Sequence, residues 1–486
     1  MYSPQVVETH ISLLFCVGER VYKLRKPVQF GFLDFRDPEA RRLDCEREIA
    51  LNRRLAPDVY LGVADIEMNG ETVDHMVVMR RMPETAKLAA LARTGSDLDS
   101  SLRQVAEVLV SFHAKAARSP EISTAATATA LRAGWEENFA ETDSFVGTVL
   151  DDSIETEIRS LARGWTDGHA SLLNERIAAG RVCDGHGDLQ AEDIFILDDG
   201  VRILDCIEFS DRLRYCDVAS DVAFLAMDLE RLGRPDAAER FLLQYREISG
   251  DTVPESLTHY YCASRAYVRA KVCCLRWAQG ADDEHAAVRL LHTLALEHLR
   301  KARAPLVLVG GLPGSGKSTL AAGLGTDRNW AVFRSDEIRR ETGRLGEVGP
   351  SGYRVGRYSA EATDAVYREL LRRAERLLEC GEPVVLDASW VSAFWRDQVR
   401  TIADRTASDL VELCCVAAPE EADRRLLRRL SHHGDVSEAT PEVRAAMSRS
   451  MDPWASAVPI DTSASSPKAA LDLAKEAIRR RGGVDR

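Results

Sequence analysis

No Cys-x-x-Cys pair occurs in this chain, although it holds 11 cysteines. A structural zinc site therefore has no support in the spacing. The adjacent pairs Cys273-Cys274 and Cys414-Cys415 are poor disulfide geometry. Buried thiols in a reducing cytoplasm are the expected state. No apolar run approaches the roughly 20 residues that span a bilayer. Met1 to Glu8 hold no basic stretch followed by an apolar one, so no secretory leader is expected. Basic charge is in deficit: 64 Lys and Arg stand against 77 Asp and Glu, a net charge of −13. That disfavours bulk binding to nucleic acid or to a membrane surface and leaves room only for a local basic patch. Disorder is excluded as well, because hydrophobic residues make up 45% and charged residues 29%. With 486 residues the chain is too long for one ordinary core, so two or three domains are expected.

Against these absences stands one dense motif. Gly311-Leu312-Pro313-Gly314-Ser315-Gly316-Lys317-Ser318-Thr319 fits the pattern GxxxxGK[ST]. The apolar run Pro305 to Val309 before it reads as a buried strand, and Thr319 to Leu324 after it as a helix start. Glycines let the backbone turn its N–H groups around phosphate oxygens, and the helix N-terminus adds a favourable dipole. Lys317 is expected to reach the β and γ phosphates of ATP, and Ser318 to ligate Mg²⁺. Trp330 to Phe333 reads as a strand that delivers Asp336 and Arg339, three apart at a helix start. Asp336 can accept a hydroxyl proton, and Arg339 can hold an anionic group. Ser359 to Cys380 reads as a long helix stopped by Gly381. Pro383 to Asp387 is an apolar strand ending in an acid, the Walker B pattern, so Asp387 can hold Mg²⁺ through water. Leu410 to Val416 is another strand. The helix Glu420 to Leu430 carries Arg424, Arg425, Arg428 and Arg429, and such a cluster can clamp a transferring phosphoryl group. His432-His433-Gly434 reads as a turn.

The first half carries a second centre. Thr9 to Val17 and Arg20 to Leu24 read as strands around Gly18, with Lys23 on the second. Arg41 to Leu55 reads as a helix carrying Glu48. Val63 to Met68 and Val73 to Met79 pair across Asn69-Gly70. Leu102 to Ala117 reads as a helix, and the Ala/Thr/Ser-rich stretch Ser119 to Ala130 as a surface loop. His186-Gly187-Asp188 leads into two apolar runs around Asp198-Asp199-Gly200, a hairpin. If Leu197 faces Val201, then Asp193 faces Asp205, and two carboxylates so close call for a cation such as Mg²⁺. Asp188, on the preceding loop, is free to accept a substrate proton. On the amphipathic stretch Tyr260 to Trp277, Arg265, Arg269, Lys271 and Arg276 form either a solvated face or the wall of an acceptor cleft.

His186-Gly187-Asp188 and the hairpin resemble the catalytic and metal-binding segments of the aminoglycoside phosphotransferase family, which shares the protein-kinase-like fold. The order of parts is similar: Lys23, Glu48, the loop, then Asp205. The resemblance implies Asp188 as catalytic base and Asp205 as main Mg²⁺ ligand. Lys23 would hold the α and β phosphates, paired to Glu48, and Met79 to Met82 would approach adenine. Asp217 to Asp221 resembles a structural helix start of that family. The chain departs from the family at three points: Asp193 replaces a metal-binding asparagine, Gln190 stands where histidine is common, and no GxGxxG loop occurs in the first strands. The stretch Pro305 to Asp461 resembles AAA-type small kinases, relatives of polynucleotide 5′-kinases, zeta-toxin-like kinases and gluconate kinases. That resemblance implies Asp336 as general base, Arg339 as acceptor ligand, and the helix with Arg425 and Arg428 as a closing lid, with Arg396 a further candidate.

The expected architecture is an α+β, two-lobed kinase-like domain over residues 1–300, then an α/β P-loop domain with a mostly parallel sheet over 301–486. The leading expectation is an ATP- and Mg²⁺-dependent phosphotransferase acting on a hydroxyl of a sugar-like or aminoglycoside-like small molecule. The acidic chain suits a cationic acceptor at the first site. Two rivals stand beside it. In one, only the second domain catalyses, with a polynucleotide 5′-hydroxyl as one possible acceptor, and the first regulates. In the other, the chain is a nucleotide-dependent interaction protein.

Overall fold

The structure, a computed structural model, describes residues 5–8, 11–30, 33–281, 284–342, 359–430, 439–463 and 465–481. Thr9 and His10, at the start of the first expected strand, and the His432-His433-Gly434 turn lie outside them. All 11 cysteines are free thiols, most of them buried. Among the described residues no helix is long and apolar enough to cross a membrane. The chain divides into two compact units. One comprises residues 1–150, 173–253 and 261–295; the other comprises 151–172, 254–260 and 296–486.

The first unit opens with a five-stranded antiparallel sheet: β1 (Gln5–Glu8), β2 (Ser12–Val17), β3 (Arg20–Arg25), β4 (Tyr60–Met68) and β5 (Glu71–Arg80). Their order is β1-β2-β3-β5-β4. The β4–β5 turn falls on Asn69 (φ 56°) and Gly70 (φ 85°), the two left-handed residues a two-residue hairpin demands. Strand β1 has no sequence signature: all four of its residues are exposed, so no alternation marks it. Helix α1 (Pro38–Asn52) starts at the Asp37 cap, whose side chain accepts the Glu39 N–H. It buries Cys45, Glu48, Ile49 and Asn52, a 3-4-7 stripe, so Glu48 sits on the face turned to the sheet. Cys45 and Ile49 pack with Tyr60, Val77, Phe195 and Leu204.

Ser119 to Ala130 is helical rather than a surface loop. A short helix covers Pro120–Thr124, and a longer one, Ala128–Thr142, begins inside the stretch. The Ser119 and Thr127 hydroxyls accept the N–H groups of Ile122 and Ala130, so these residues start helices instead of opening the chain. Ile122 and Ala126 are buried.

The hairpin of the second centre consists of β6 (Ile194–Leu197) and β7 (Gly200–Ile203). Its register differs by one residue from expectation. Leu197 pairs with Gly200, closing a two-residue turn on Asp198-Asp199. Asp193 therefore opposes Leu204, whose N–H donates to the Asp193 carbonyl at 2.9 Å. Helices α2 (Val218–Arg231) and α3 (Glu255–Ala278) follow.

In the second unit five parallel strands form one sheet: β8 (Pro305–Gly310), β9 (Ala331–Arg334), β10 (Val384–Asp387), β11 (Asp409–Val416) and β12 (Val458–Asp461). Their order is β9-β10-β8-β11-β12. Connections run to opposite sides of β8, which makes its C-terminal end the switch point where ligands bind in such sheets. Leu306 and Leu308 face one buried cluster, and Val307 and Val309 face the other. This explains the unbroken apolar run: the strand is covered on both faces. Helices α4 (Lys317–Arg328), α5 (Ser335–Thr342) and α6 (Ala360–Glu379) supply much of that cover, and α7 (Pro419–Leu430) packs against the phosphate loop at Ala422.

The helix Asp152–Gly168 belongs to this unit. Its Trp165 is fully buried and stacks between His169 (4.2 Å) and Tyr260 (3.8 Å). Burial pushes the His169 imidazole down to about 4. The folded state thus binds its proton later than the unfolded state, whose histidine titrates near 6.5. Stability is fully present above pH 6.5 and falls as pH drops from there to about 4, by about 3 kcal/mol. Replacing His169 by Phe keeps the stack and removes the titration. The variant's melting temperature is expected to fall less than the parent's between pH 7 and 4.5, and an unchanged pH slope would refute the neutral buried imidazole.

Candidate active sites

The first site is a cavity of about 1000 Å³. Its walls include Lys23 from β3, Met79 to Met82 at and just past the end of β5, Asp188, Asp193 and Asp205. Lys23 Nζ lies 2.8 Å from Glu48 Oε1 and 3.2 Å from Asp205 Oδ1. Burial opposes the Lys23 charge, but Asp205 and Glu48 hold its pKa above the ordinary lysine range. Asp205 escapes the consequence of the register shift. It stands just past β7 with φ 62°, and this left-handed residue turns the chain back toward the cavity. Lys23 beside it holds its carboxyl below the ordinary range. Burial pushes Asp193 well up, and the Asp205 charge adds to the effect. The two carboxylates thus share the cavity without being cross-strand partners. Asp188 is likewise raised, first by burial. One of its oxygens accepts from Gln190 Nε2 at 2.8 Å, and the other lies 3.8 Å from Arg269 Nη1.

The loop carrying Asp188 is strapped from α2. The Asp221 carboxylate, fully buried, accepts the N–H groups of His186 (2.6 Å) and Gly187 (2.9 Å). Asp228 accepts the N–H of Ala191 at 2.9 Å. Despite the cost of burial, bonding from His113 and the nearby cations hold Asp221 well below the usual carboxylate range. The expectation that Asp217 to Asp221 is structural fits this geometry; Asp217 pairs with Arg176 at 2.7 Å. The role of Asp228 escaped the sequence reading, although its seven-residue spacing from Asp221 is a visible helical signal. Asp221→Ala leaves two buried donors unsatisfied, so a loss of about 2–5 kcal/mol is expected in urea unfolding of the intact chain. A loss below about 1 kcal/mol would show that the strap is not a stability element.

Arg25 is a further residue the sequence reading missed. Its guanidinium, 1% exposed, donates to Asp44 (2.7 Å), Glu48 (2.7 Å), Ser12 (2.9 Å) and Glu208. It ties β3 to α1 and to the segment after Asp205. Burial raises Glu208 to about 7 against the pull of this arginine.

In the second site the phosphate loop lies between β8 and α4. Gly314 has φ 80°, and a Cβ there would stand 2.6 Å from the Ala422 carbonyl oxygen. Gly311 has φ 131° and a Cβ would strike the Cys415 carbonyl. Only glycine fits this cradle. Lys317 opens α4 and is half-buried, as is Ser318, while Thr319 is exposed. Leu312 is half-buried; Pro313 and Ser315 are buried. Burial lifts the Cys415 thiol to about 12, with the Lys317 charge lowering it and the Asp387 charge raising it. Both charges therefore stand at the C-terminal end of the sheet, beside β11.

Asp387 Oδ2 accepts from Arg334 Nε at 3.1 Å. Its Oδ1 is buried with no hydrogen-bond partner among the described residues, and neither has Ser315 Oγ. Buried polar atoms are seldom left so, and an oxygen-coordinated cation with its waters, held beside phosphates, fits both atoms. The donor set of the first cavity, two carboxylates with a paired lysine, also fits Mg²⁺ with a nucleotide. Among the described residues no group of three or more His, Cys, Asp or Glu side chains gathers as an all-protein metal cage. Such a cage is not needed where substrate phosphates complete the coordination.

Asp336 and Arg339 lie on α5, and both charges act on the Tyr367 hydroxyl, which bonds Ser389 Oγ at 3.3 Å. The Ser389 carbonyl accepts the Gly311 N–H at 3.4 Å, so Ser389 links Tyr367 to the phosphate loop. Arg425 binds the loop itself, donating to the Gly314 carbonyl at 3.3 Å and the Thr462 carbonyl at 2.7 Å. Arg428 and Arg429 line a 450 Å³ cavity with Gly316, Thr319 and Thr462. Arg424 is exposed and paired with Glu421. Arg396 is placed elsewhere: it is buried, donates to the Trp390 and Pro453 carbonyls (2.7 Å each), and lies over Trp454. Its donors are spent on bracing two loops. Thr462 Oγ1 donates to the Ser315 carbonyl at 2.7 Å, a contact with no sequence signal.

Residues 306–454 match the family model described as an AAA domain. The uncharacterized protein Rv2004c of Mycobacterium tuberculosis is 40% identical over 461 residues, covering 94% of this chain and 92% of the relative. Among solved structures, the GDP and kanamycin complex of APH(2")-IIia is similar at a TM-score of 0.40 and 16% identity. That match covers 60% of this chain and 92% of the other. The APS kinase CysC of Mycobacterium tuberculosis is similar at a TM-score of 0.28 and 21% identity, over 36% of this chain and 96% of the other. The fold assignment itself rests on the strand orders and the two sites described above. With 40% identity carried along 94% of its length, the chain belongs to the family of Rv2004c, and its residues 306–454 match an AAA domain.

Proposed function

We propose that the chain is a cytoplasmic phosphotransferase with two ATP- and Mg²⁺-dependent sites, divided functionally near residue 300. Each moves the γ-phosphoryl group of ATP to a hydroxyl of a small molecule. The observation that carries this reading is the convergence of Lys23, Asp188, Asp193 and Asp205 on one cavity, with Glu48 buried behind it and paired to Lys23.

At the first site, Lys23 orients the α and β phosphates and is itself held by Glu48. Asp193 and Asp205 would hold Mg²⁺, which when bound neutralises charge on the β and γ phosphates. Asp188 takes the proton from the acceptor hydroxyl. The acceptor oxygen then bonds to the γ-phosphorus while the bond from that phosphorus to the β–γ bridging oxygen breaks, and ADP leaves with the electron pair. At the second site Lys317 and the loop N–H groups hold the phosphates. Ser318 and Asp387 would hold the metal, Asp336 receives the proton, and Arg339 positions the acceptor. Arg425 and Arg428 close over the transferring group.

The test is turnover of γ-labelled ATP with Mg²⁺ by intact protein, Lys317→Met and Asp188→Asn, against sugars, aminoglycosides and 5′-hydroxyl oligonucleotides. Two active sites predict that each variant loses a different acceptor. Loss in Lys317→Met alone would make the first unit a regulatory module. Activity on oligonucleotides with a steep salt dependence would favour the polynucleotide alternative.

A further inference from the structure

We infer that the acceptor of the first site carries an anionic group, a carboxylate or a phosphate, and that α3 receives it. This rests on the phosphotransferase reading of that cavity and narrows its substrate class. Net charge alone points to a cationic acceptor, but the cavity points the other way.

The first observation is the placement of arginines on α3. At about 100° per residue, positions 265, 269 and 276 fall within about 40° of one another on the helix. Arg265 donates to the Gly187 carbonyl at 3.2 Å and so braces the loop. Arg269, one turn on, stands 3.8 Å from the Asp188 carboxylate. That is an ion pair without a hydrogen bond, so its N–H groups are not spent on Asp188. Arg276 lies on the cavity wall, 45% exposed, with Glu284 at 3.4 Å. Lys271, off this stripe, is neutralised by Glu141 at 2.9 Å.

The second observation is the fate of the acids. Among the described residues seven acids line the cavity. Glu8 pairs with Lys26, Glu84 with Lys87, Glu192 with Arg93, and Glu208 with Arg25. Asp188 is the base, and Asp193 and Asp205 are the proposed metal ligands. Of these seven none is left to receive an ammonium group, whereas Arg269 presents a guanidinium group beside the base and Arg276 one on the cavity wall. A planar guanidinium matches a carboxylate or phosphate bidentately. A hydroxy acid or a sugar phosphate, its anion on this stripe, can place a hydroxyl at Asp188.

The experiment uses the full chain carrying Lys317→Met, so that the first site alone turns over. Labelled ATP and Mg²⁺ are offered with gluconate, glucose 6-phosphate, glucose, kanamycin or choline. Transfer to gluconate or glucose 6-phosphate, abolished by Asp188→Asn, is expected, and which of the two is used separates carboxylate from phosphate. Arg276→Glu should then raise the acceptor KM by about tenfold or more at an unchanged KM for ATP. Arg269→Lys should retain more turnover than Arg269→Ala. Asp188-dependent transfer to kanamycin, choline or glucose in preference to the anions would overturn the inference and leave the phosphotransferase reading standing. So would an acceptor KM unmoved by Arg276→Glu. Absence of Asp188-dependent transfer to all five would sink both together.

Discussion

Lys317→Met is expected to lower turnover at the second site by about 10³-fold while leaving the fold intact. The ammonium is a charge that the transferring phosphoryl group meets as its own charge spreads over three oxygens, and no other basic residue occurs in the loop from Gly311 to Thr319. Methionine keeps the length of the stem and removes the charge. Lys317 is the first residue of α4, where a good helix former costs little, and it is only half-buried. The melting temperature should therefore stay within about 2 °C of the parent, since a surface change of this kind is worth about 0.5 kcal/mol or less. The loss should appear in kcat more than in acceptor KM, because the interaction is made most strongly in the transition state. Full turnover by this variant at the second site would remove Lys317, and with it the loop, from the chemistry.

How much of this was legible in the sequence depends on whether the signal was local. The phosphate loop, its buried strand and the Walker B strand are contiguous, and the structure places them side by side, with Val309 paired to Asp387. The Asn69-Gly70 turn was legible because two left-handed residues in a row leave few alternatives. Lys23 and Glu48 were placed on their strand and helix, but were paired only through a resemblance, since 25 residues of sequence separate two groups that end 2.8 Å apart. The hairpin register was misread by one residue because Gly200 was counted into the turn and not into the ladder. A one-residue slip normally turns a side chain to the opposite face. Asp205 nevertheless reaches the cavity, because its positive φ comes after the strand ends, and nothing local announces that conformation in an aspartate. Ser119 to Ala130 was misread because serine and threonine serve both loops and caps, and only the burial of Ile122 and Ala126 decides between them. The Arg25 cluster was invisible for a different reason. Its acids come from α1 and from beyond Asp205, and tertiary packing alone brings them to one guanidinium.

Asp188→Asn is expected to cut Asp188-dependent transfer at the first site by about 10²- to 10⁴-fold, the range for removing a general base. The substitution is nearly isosteric, and the loop is held by Asp221 and Asp228 rather than by the Asp188 side chain, so the loop should keep its place. Asparagine can still accept from Gln190 through its carbonyl oxygen, while the ion pair to Arg269 is lost. The pH profile carries the sharper signature. Burial raises the Asp188 pKa above the ordinary 3.8, with the Asp205 charge adding to the rise and Arg269 opposing it. A base works only when ionised, so the acid limb of kcat/KM should lie at higher pH than that of an exposed aspartate. Arg269→Ala removes a cation that favours the ionised form and should shift that limb further up. In Asp188→Asn the limb should vanish from whatever activity is left. A variant that keeps the parent's acid limb and loses only magnitude would mean that another group takes the proton, and Asp193, a cavity carboxyl held well above its ordinary range, is then the residue to replace next.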